Sequence, residues 1–206
     1  MKTTNKLLTL IIIFSSLFSL QSQNKFSKRK IENLKEEVSQ LVEDDKKMTQ
    51  VMIDKVFSFG ELGFQEFETS KYLGKILEEN GFDVEYQISD IPTSWLATWS
   101  NGEGGPTIAL GSDFDGVPST SQYPGVAYEK PVVEGAPGHG EGHNIGLPIV
   151  ITSAIAIKKI MIENNINGKL VLWPGVAEEI LGAKAWYVRD GYFDNVDMCI
   201  FTHVST

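Results

Sequence analysis

Thr107-Ile108-Ala109-Leu110-Gly111-Ser112-Asp113-Phe114-Asp115-Gly116 carries the pattern on which the fold turns. A short apolar run gives way to a glycine and then to a pair of carboxylates. Such a run, bounded by turn residues, reads as a buried strand. The pattern returns twice. Lys169-Leu170-Val171-Leu172-Trp173 is followed by Pro174-Gly175-Val176-Ala177-Glu178-Glu179, and a last strand over about 196–202 is followed by His203. An apolar helix rich in Ile and Ala, expected over about 146–163, separates the first two strands. A short helix, Ala183–Arg189, separates the second from the third. Strand, helix, strand, helix, strand predicts an α/β layered fold around a largely parallel sheet. In such sheets ligands gather beyond the carboxyl ends of the strands, where these polar clusters stand.

Upstream, Ile31, Leu34, Val38, Leu41 and Val42 recur at helical spacing, followed by Met48, Val51, Met52 and Val56. This predicts one long helix or two abutting ones over about 28–58. Glu61-Leu62-Gly63-Phe64 breaks the pattern. A further helix is expected from about Glu66 to Asn80, with Tyr72, Leu73, Ile76 and Leu77 on its buried face and Gly81 as its stop. Short strands follow at about 82–88 and 94–99, and a tight turn at 101–105. A Gly/Pro-rich stretch fills 111–144.

Composition narrows the function. With 42% hydrophobic and 22% charged residues in 206, the chain is neither disordered, collagen-like nor a coiled coil. A net charge of −9 repels phosphate backbones, so nucleic acid is not an expected partner. Cys199 is the single cysteine, which excludes an internal disulfide framework and a multi-cysteine zinc site. Any metal site must be built from Asp, Glu and the three His. At the N-terminus, Lys2 and Lys6 precede an apolar run from Leu7 that ends at polar Gln21-Ser22-Gln23. That order predicts a secretory signal peptide over residues 1–23, and so export to a periplasmic or extracellular location. At about 14 residues the run falls short of the roughly 20 that span a bilayer, so no stable membrane span is expected.

The third polar cluster, Gly138-His139-Gly140-Glu141-Gly142-His143-Asn144, precedes the apolar helix. Each cluster has a plain structural reading. Carboxylates after a strand often cap helices, an adjacent Glu pair is usually a solvated face, and a lone His is more often packed than ligating. Together they favour a metal site. The interleaved glycines leave room around imidazole and carboxylate groups that hard or borderline cations accept.

Taken in order, these motifs resemble the metal-dependent aminoacylase/carboxypeptidase family of amidohydrolases. The matching stretches are Glu61–Ser70, Asp113–Pro118 with Ser121-Gln122, Pro137–Asn144, Ala177-Glu178-Glu179 and His203. They are most similar to the branch of aminobenzoyl-glutamate utilisation protein B, near the indoleacetyl-amino acid hydrolases, over most of 46–206. The resemblance implies a zinc-exopeptidase-like three-layer sandwich around a largely parallel mixed sheet, present here incompletely. Residues 24–206 would be the N-terminal part of the catalytic domain, without the lid or dimerisation domain through which the family forms homodimers.

The resemblance also implies roles. The substrate would be an N-acyl amino acid, an aminobenzoyl-glutamate-like compound or a small peptide. Two divalent ions would be bound, zinc first, with manganese or cobalt fitting too. Glu178 would be the general base, Glu141, His143, Glu179 and His203 the metal ligands, and Asp113, Asp115 and His139 the groups that hold those ligands in place. Glu141 stands where the branch carries a metal-binding Cys, and an oxygen donor there moves preference away from soft metals. That departure keeps open a catalytically silent homologue or fragment that binds small ligands or a partner. An extracytoplasmic structural module would have to explain every polar cluster as a turn.

Overall fold

The structure, a computed structural model, describes residues 26–204, and the expected signal peptide over 1–23 lies outside the described residues. In chain order the helices are α1 (Lys28–Asp44), α2 (Lys46–Phe59) and α3 (Phe67–Glu79), followed by strands β1 (Asp83–Tyr86), β2 (Trp95–Asn101) and β3 (Thr107–Asp113). Then come α4 (His143–Glu163), β4 (Gly168–Gly175), α5 (Lys184–Arg189) and β5 (Met198–Thr202). Short 3-10 turns occupy Ile88–Asp90 and Glu178–Ile180. The chain divides between Glu36 and Glu37 into two units. The described part of the first is the opening of α1, where Lys35 and Glu32 pair one turn apart at 3.0 Å. The second unit carries everything that follows.

Its sheet has the order β1-β2-β4-β3-β5. β3 runs parallel to both β4 and β5, while β2 pairs antiparallel with β1 and with β4. The sheet is therefore mixed, with its parallel half at the β4-β3-β5 side. The division has a simple cause. β1 and β2 are joined by a connection too short for a crossover, whereas β3 reaches β4 through α4 and β4 reaches β5 through α5. Successive residues of a strand face opposite sides, so unbroken burial from Ala109 to Asp113 and from Leu170 to Gly175 means that both faces of the central strands are covered.

α4 is the central helix and packs on β3, with α2 packed on α4. Thr49 of α2 and Thr152 of α4 meet through their hydroxyls at 2.8 Å. By length and composition α4 would suffice to cross a membrane, yet 56% of its most apolar window is buried, as in the central helix of a core. Trp173 in β4 packs edge-on against Tyr187 of α5 and against Phe193 beyond it. α4 starts at His143, three residues before the apolar run that announces it. Gly142, at φ 76°, makes the left-handed turn into it. His143 is thus fixed on a helix end rather than left in a loop.

Gly146, one turn into α4, lets the helix lie directly on β3. A Cβ there would sit 1.8 Å from Ser112 Oγ and 2.7 Å from Ser112 Cβ. Gly146→Ala is therefore expected to destabilise the fold by about 1–3 kcal/mol through overpacking. A denaturant midpoint unchanged from wild type would show that the helix does not approach β3 this closely.

Candidate metal centre

β3 turns first toward β4 on one side, and β4 then crosses over β3 to reach β5 on the other. Loops leaving a sheet where the winding reverses open a crevice at the carboxyl ends of the strands. Asp113 ends β3, Asp115 follows it, Glu178 and Glu179 follow β4, and His203 follows β5. The loop from β3 to α4 is tied back on itself: Val117 N–H donates to Gly138 O at 2.8 Å and Gly138 N–H to Val117 O at 3.1 Å. That pairing carries Glu141 and His143 to the same edge.

His143 stands at the middle. Its Nδ1 lies 3.1 Å from the backbone oxygen of Asp115 and 3.3 Å from Asp115 Oδ1. A carbonyl only accepts, so Nδ1 carries the proton and Nε2 keeps its lone pair. That Nε2 faces His203 Nε2 at 3.0 Å, with the two rings nearly perpendicular at 82°. Two imidazole nitrogens bound tetrahedrally to one zinc-like ion would stand about 3.3 Å apart. The separation fits a shared cation.

Two sets of donor atoms each gather within 4.8 Å: Asp113, His143 and His203 in one, Glu141, His143 and Glu179 in the other. The four residues expected as ligands fall in these two sets, His203 in the first, Glu141 and Glu179 in the second, and His143 in both. Asp113, expected to hold other groups, itself offers an oxygen to one of the sets, 1% exposed at the end of its strand. Asp115 is fully buried and accepts the backbone N–H of Glu179 at 3.1 Å, so one carboxylate braces residues of both sets. His139 joins neither set. Its Nε2 lies 3.1 Å from Val56 O at the end of α2, and burial lowers its pKa. Glu178 is half-buried beside Glu179 and outside both sets.

The electrostatics ask for cations. Burial raises the pKa of Glu179, and repulsion from Glu141 adds to it. Glu179 Oε1 is buried without a hydrogen-bond partner among the described residues, 3.8 Å from His143 Nδ1. Burial opposes the charged form of His143, yet Asp115, Asp113 and Glu179 outweigh it and hold its pKa above the usual value. A donor set of carboxylates and imidazoles suits zinc, manganese or cobalt. The residues present fit the two ions that the resemblance implies.

Two residues make contacts that their local sequence does not announce. Lys184, in the first turn of α5, pairs with Asp113 Oδ1 at 2.8 Å and lies over the Phe201 ring. A lysine opening a short helix gives no local sign of such a partner. Glu66 reads in sequence only as the opening of a helix, yet it is fully buried and reaches Ala177. Beside the centre, a cleft of about 580 Å³ is lined by Thr120, Gln122, Tyr128, Glu134 and Gly140, among others. Gly140, on its wall, precedes Glu141 in the chain.

No model of a known protein family matches the chain. Among curated proteins, a p-aminobenzoyl-glutamate hydrolase component of Escherichia coli is 31% identical over 166 residues, covering 81% of this chain and 34% of the relative. Hippurate hydrolase of Campylobacter jejuni is 32% identical over 139 residues, covering 66% of this chain and 33% of the relative. The chain spans about a third of the length of these relatives. Among solved structures, YXEP of Bacillus subtilis, a dinuclear metal-binding peptidase from the M20 family, superposes with a TM-score of 0.64 at 23% identity, over 78% of this chain and 44% of that one. An aminohydrolase from methicillin-resistant Staphylococcus aureus gives a TM-score of 0.70 at 22% identity, over 82% and 42%. Both share the fold. The sequence relatives, with the ordered motifs, show that the chain belongs to the metal-dependent aminoacylase/carboxypeptidase family of amidohydrolases, as a partial match to its members.

Proposed function

We propose that this chain carries the metal-binding and proton-transferring part of an exported hydrolase that cleaves the amide bond of an N-acyl amino acid, an aminobenzoyl-glutamate-like compound or a small peptide. One observation carries the reading: two donor sets share His143 at the strand ends, with Glu178 beside them and in neither. The relatives' names, p-aminobenzoyl-glutamate hydrolase, hippurate hydrolase and IAA-amino acid hydrolase, share an acyl group in amide linkage to an amino acid. Export rests on the basic, apolar, polar order of residues 1–23.

Glu141, His143, Glu179, His203 and Asp113 would hold two divalent ions. When bound, those ions polarise the scissile carbonyl and acidify water. Glu178 takes the proton of the attacking water on its carboxylate and delivers it to the amide nitrogen as the carbon–nitrogen bond breaks. Asp115 keeps the proton of His143 on Nδ1, so that Nε2 remains a ligand. Each role uses a different carboxylate, which explains why so many are crowded at one edge.

The test is metal content by mass spectrometry after desalting, together with release of free amino acid from N-acyl and aminobenzoyl substrates. Two divalent ions per chain and release of the amino acid are expected. A chain that retains no zinc, manganese or cobalt would end this reading.

A further inference from the structure

Glu66 occupies the N-cap position of α3 and yet caps nothing with its side chain. Glu61 does that work, its two oxygens accepting the N–H groups of Glu68 and Thr69 at 2.9 Å each. The Glu66 carboxylate is thereby free to turn inward, where it is fully buried. Its Oε2 accepts from Thr93 Oγ1 at 2.7 Å, and its Oε1 accepts from the backbone N–H of Ala177 at 2.8 Å, 111 residues away in sequence. Ala177 is held in the left-handed region at φ 54°, a conformation that side-chain-bearing residues adopt only when their surroundings impose it. Gly63 backs directly onto it, since a Cβ there would meet Ala177 Cα at 2.9 Å.

Ala177 immediately precedes Glu178, and on the far side the N–H of Glu179 is held by Asp115 Oδ2 at 3.1 Å. A buried carboxylate thus grips the backbone on each side of Glu178. Burying a carboxylate is expensive unless its hydrogen bonds are made, so a site for one records what it must hold. We propose that Glu66 is a positioning residue for the carboxylate pair: by fixing the N–H of Ala177, as Asp115 fixes that of Glu179, it clamps the turn that presents Glu178 and Glu179. The inference rests on the metal reading above for the purpose of the clamp, but not for the clamp itself.

The experiment reads both separately in the full chain, using Glu66→Ala, Glu66→Gln and Thr93→Val. Amide hydrogen exchange is followed at 177–179 without metal, and Mn²⁺ alone is titrated into each variant. In Glu66→Ala, exchange at 177–179 should quicken at least about ten-fold while that of β4 stays unchanged. Mn²⁺ affinity should fall about 10–100-fold, the usual effect of losing a group that orients a ligand. Glu66→Gln keeps an oxygen for Ala177 and should restore both. Thr93→Val removes the other partner of Glu66 and should move neither, whatever it does to the melting temperature. If Glu66→Ala does not fold, Glu66→Asp withdraws the oxygen by one methylene and takes its place. Exchange at 177–179 unchanged in a folded variant would overturn the clamp. So would wild-type Mn²⁺ affinity in the presence of faster exchange, or an equal loss of affinity in Thr93→Val. A wild-type chain that takes up no Mn²⁺ refutes the metal reading instead, and the exchange measurement still decides whether Glu66 holds Ala177.

Discussion

Glu178→Gln is expected to slow amide hydrolysis by about 10²–10⁴-fold and to leave bound metal unchanged. The two glutamates are neighbours on one 3-10 turn, Glu178–Ile180, but face different tasks. Glu179 offers an oxygen to the set that includes Glu141 and His143, and Glu178 to neither set. An amide in place of the Glu178 carboxylate preserves shape and removes the basic oxygen, so only proton transfer is lost. Glu179→Ala should do the reverse. It deletes a charged ligand whose Oε1 has no other hydrogen-bond partner among the described residues, and metal should leave with it. The decisive measurement pairs metal per chain with hydrolysis rate for each variant. Metal loss in Glu178→Gln with none in Glu179→Ala would exchange the two roles, and no change in either would make both surface carboxylates.

The parallel half of the sheet was legible because each of its strands is an apolar run ended by a glycine or a polar cluster. β1 was legible only in part. The expected strand over about 82–88 shortens to Asp83–Tyr86 because Gln87 and Ser89 take positive φ and the chain enters a 3-10 turn. Nothing in the side chains of Tyr86-Gln87-Ile88-Ser89 announces that. The antiparallel pairing of β2 with β4 was equally silent, since it depends on which edge the hairpin docks against rather than on its own pattern.

At the site, glycines and strand ends mark the clusters that hold Glu141, His143, Glu179 and His203, and the family resemblance singles these four out as ligands. Glu66 and Lys184 are not so marked. A glutamate that opens a helix looks like a cap, and only the tertiary approach of Ala177 turns it inward. Lys184 acquires its meaning from Asp113, which is 71 residues earlier and adjacent only because Gly175 leaves room: a Cβ there would stand 1.9 Å from Asp113 Oδ1. Local pattern shows which residues have the chemistry. Which of them touch is decided by register and crossover.

His143→Ala should reduce metal uptake from two ions to at most one, because His143 supplies a ring nitrogen to the set it forms with His203 and Asp113. With Nδ1 committed to the Asp115 carbonyl, the ring has a single lone pair, on Nε2, and that faces His203 at 3.0 Å. Removing the ring therefore leaves His203 and Asp113 as the remaining protein donors of that set, and Glu141 with Glu179 in the other. Losing a group that merely orients a ligand lowers metal affinity about 10–100-fold, so losing a ligand itself should exceed that. Asp115→Asn gives the smaller effect for comparison: the backbone oxygen that fixes the His143 tautomer survives, and only the charge beside it goes. His139→Ala is the control, since that ring is turned to Val56 and belongs to neither set. It should leave the metal count at two. Calorimetric titration with Zn²⁺ and with Mn²⁺ reads all three variants, with melting in chelator confirming that each is folded. Two ions bound at wild-type affinity by folded His143→Ala would show that His143 is not a ligand, and loss of metal in His139→Ala would move the centre toward α2.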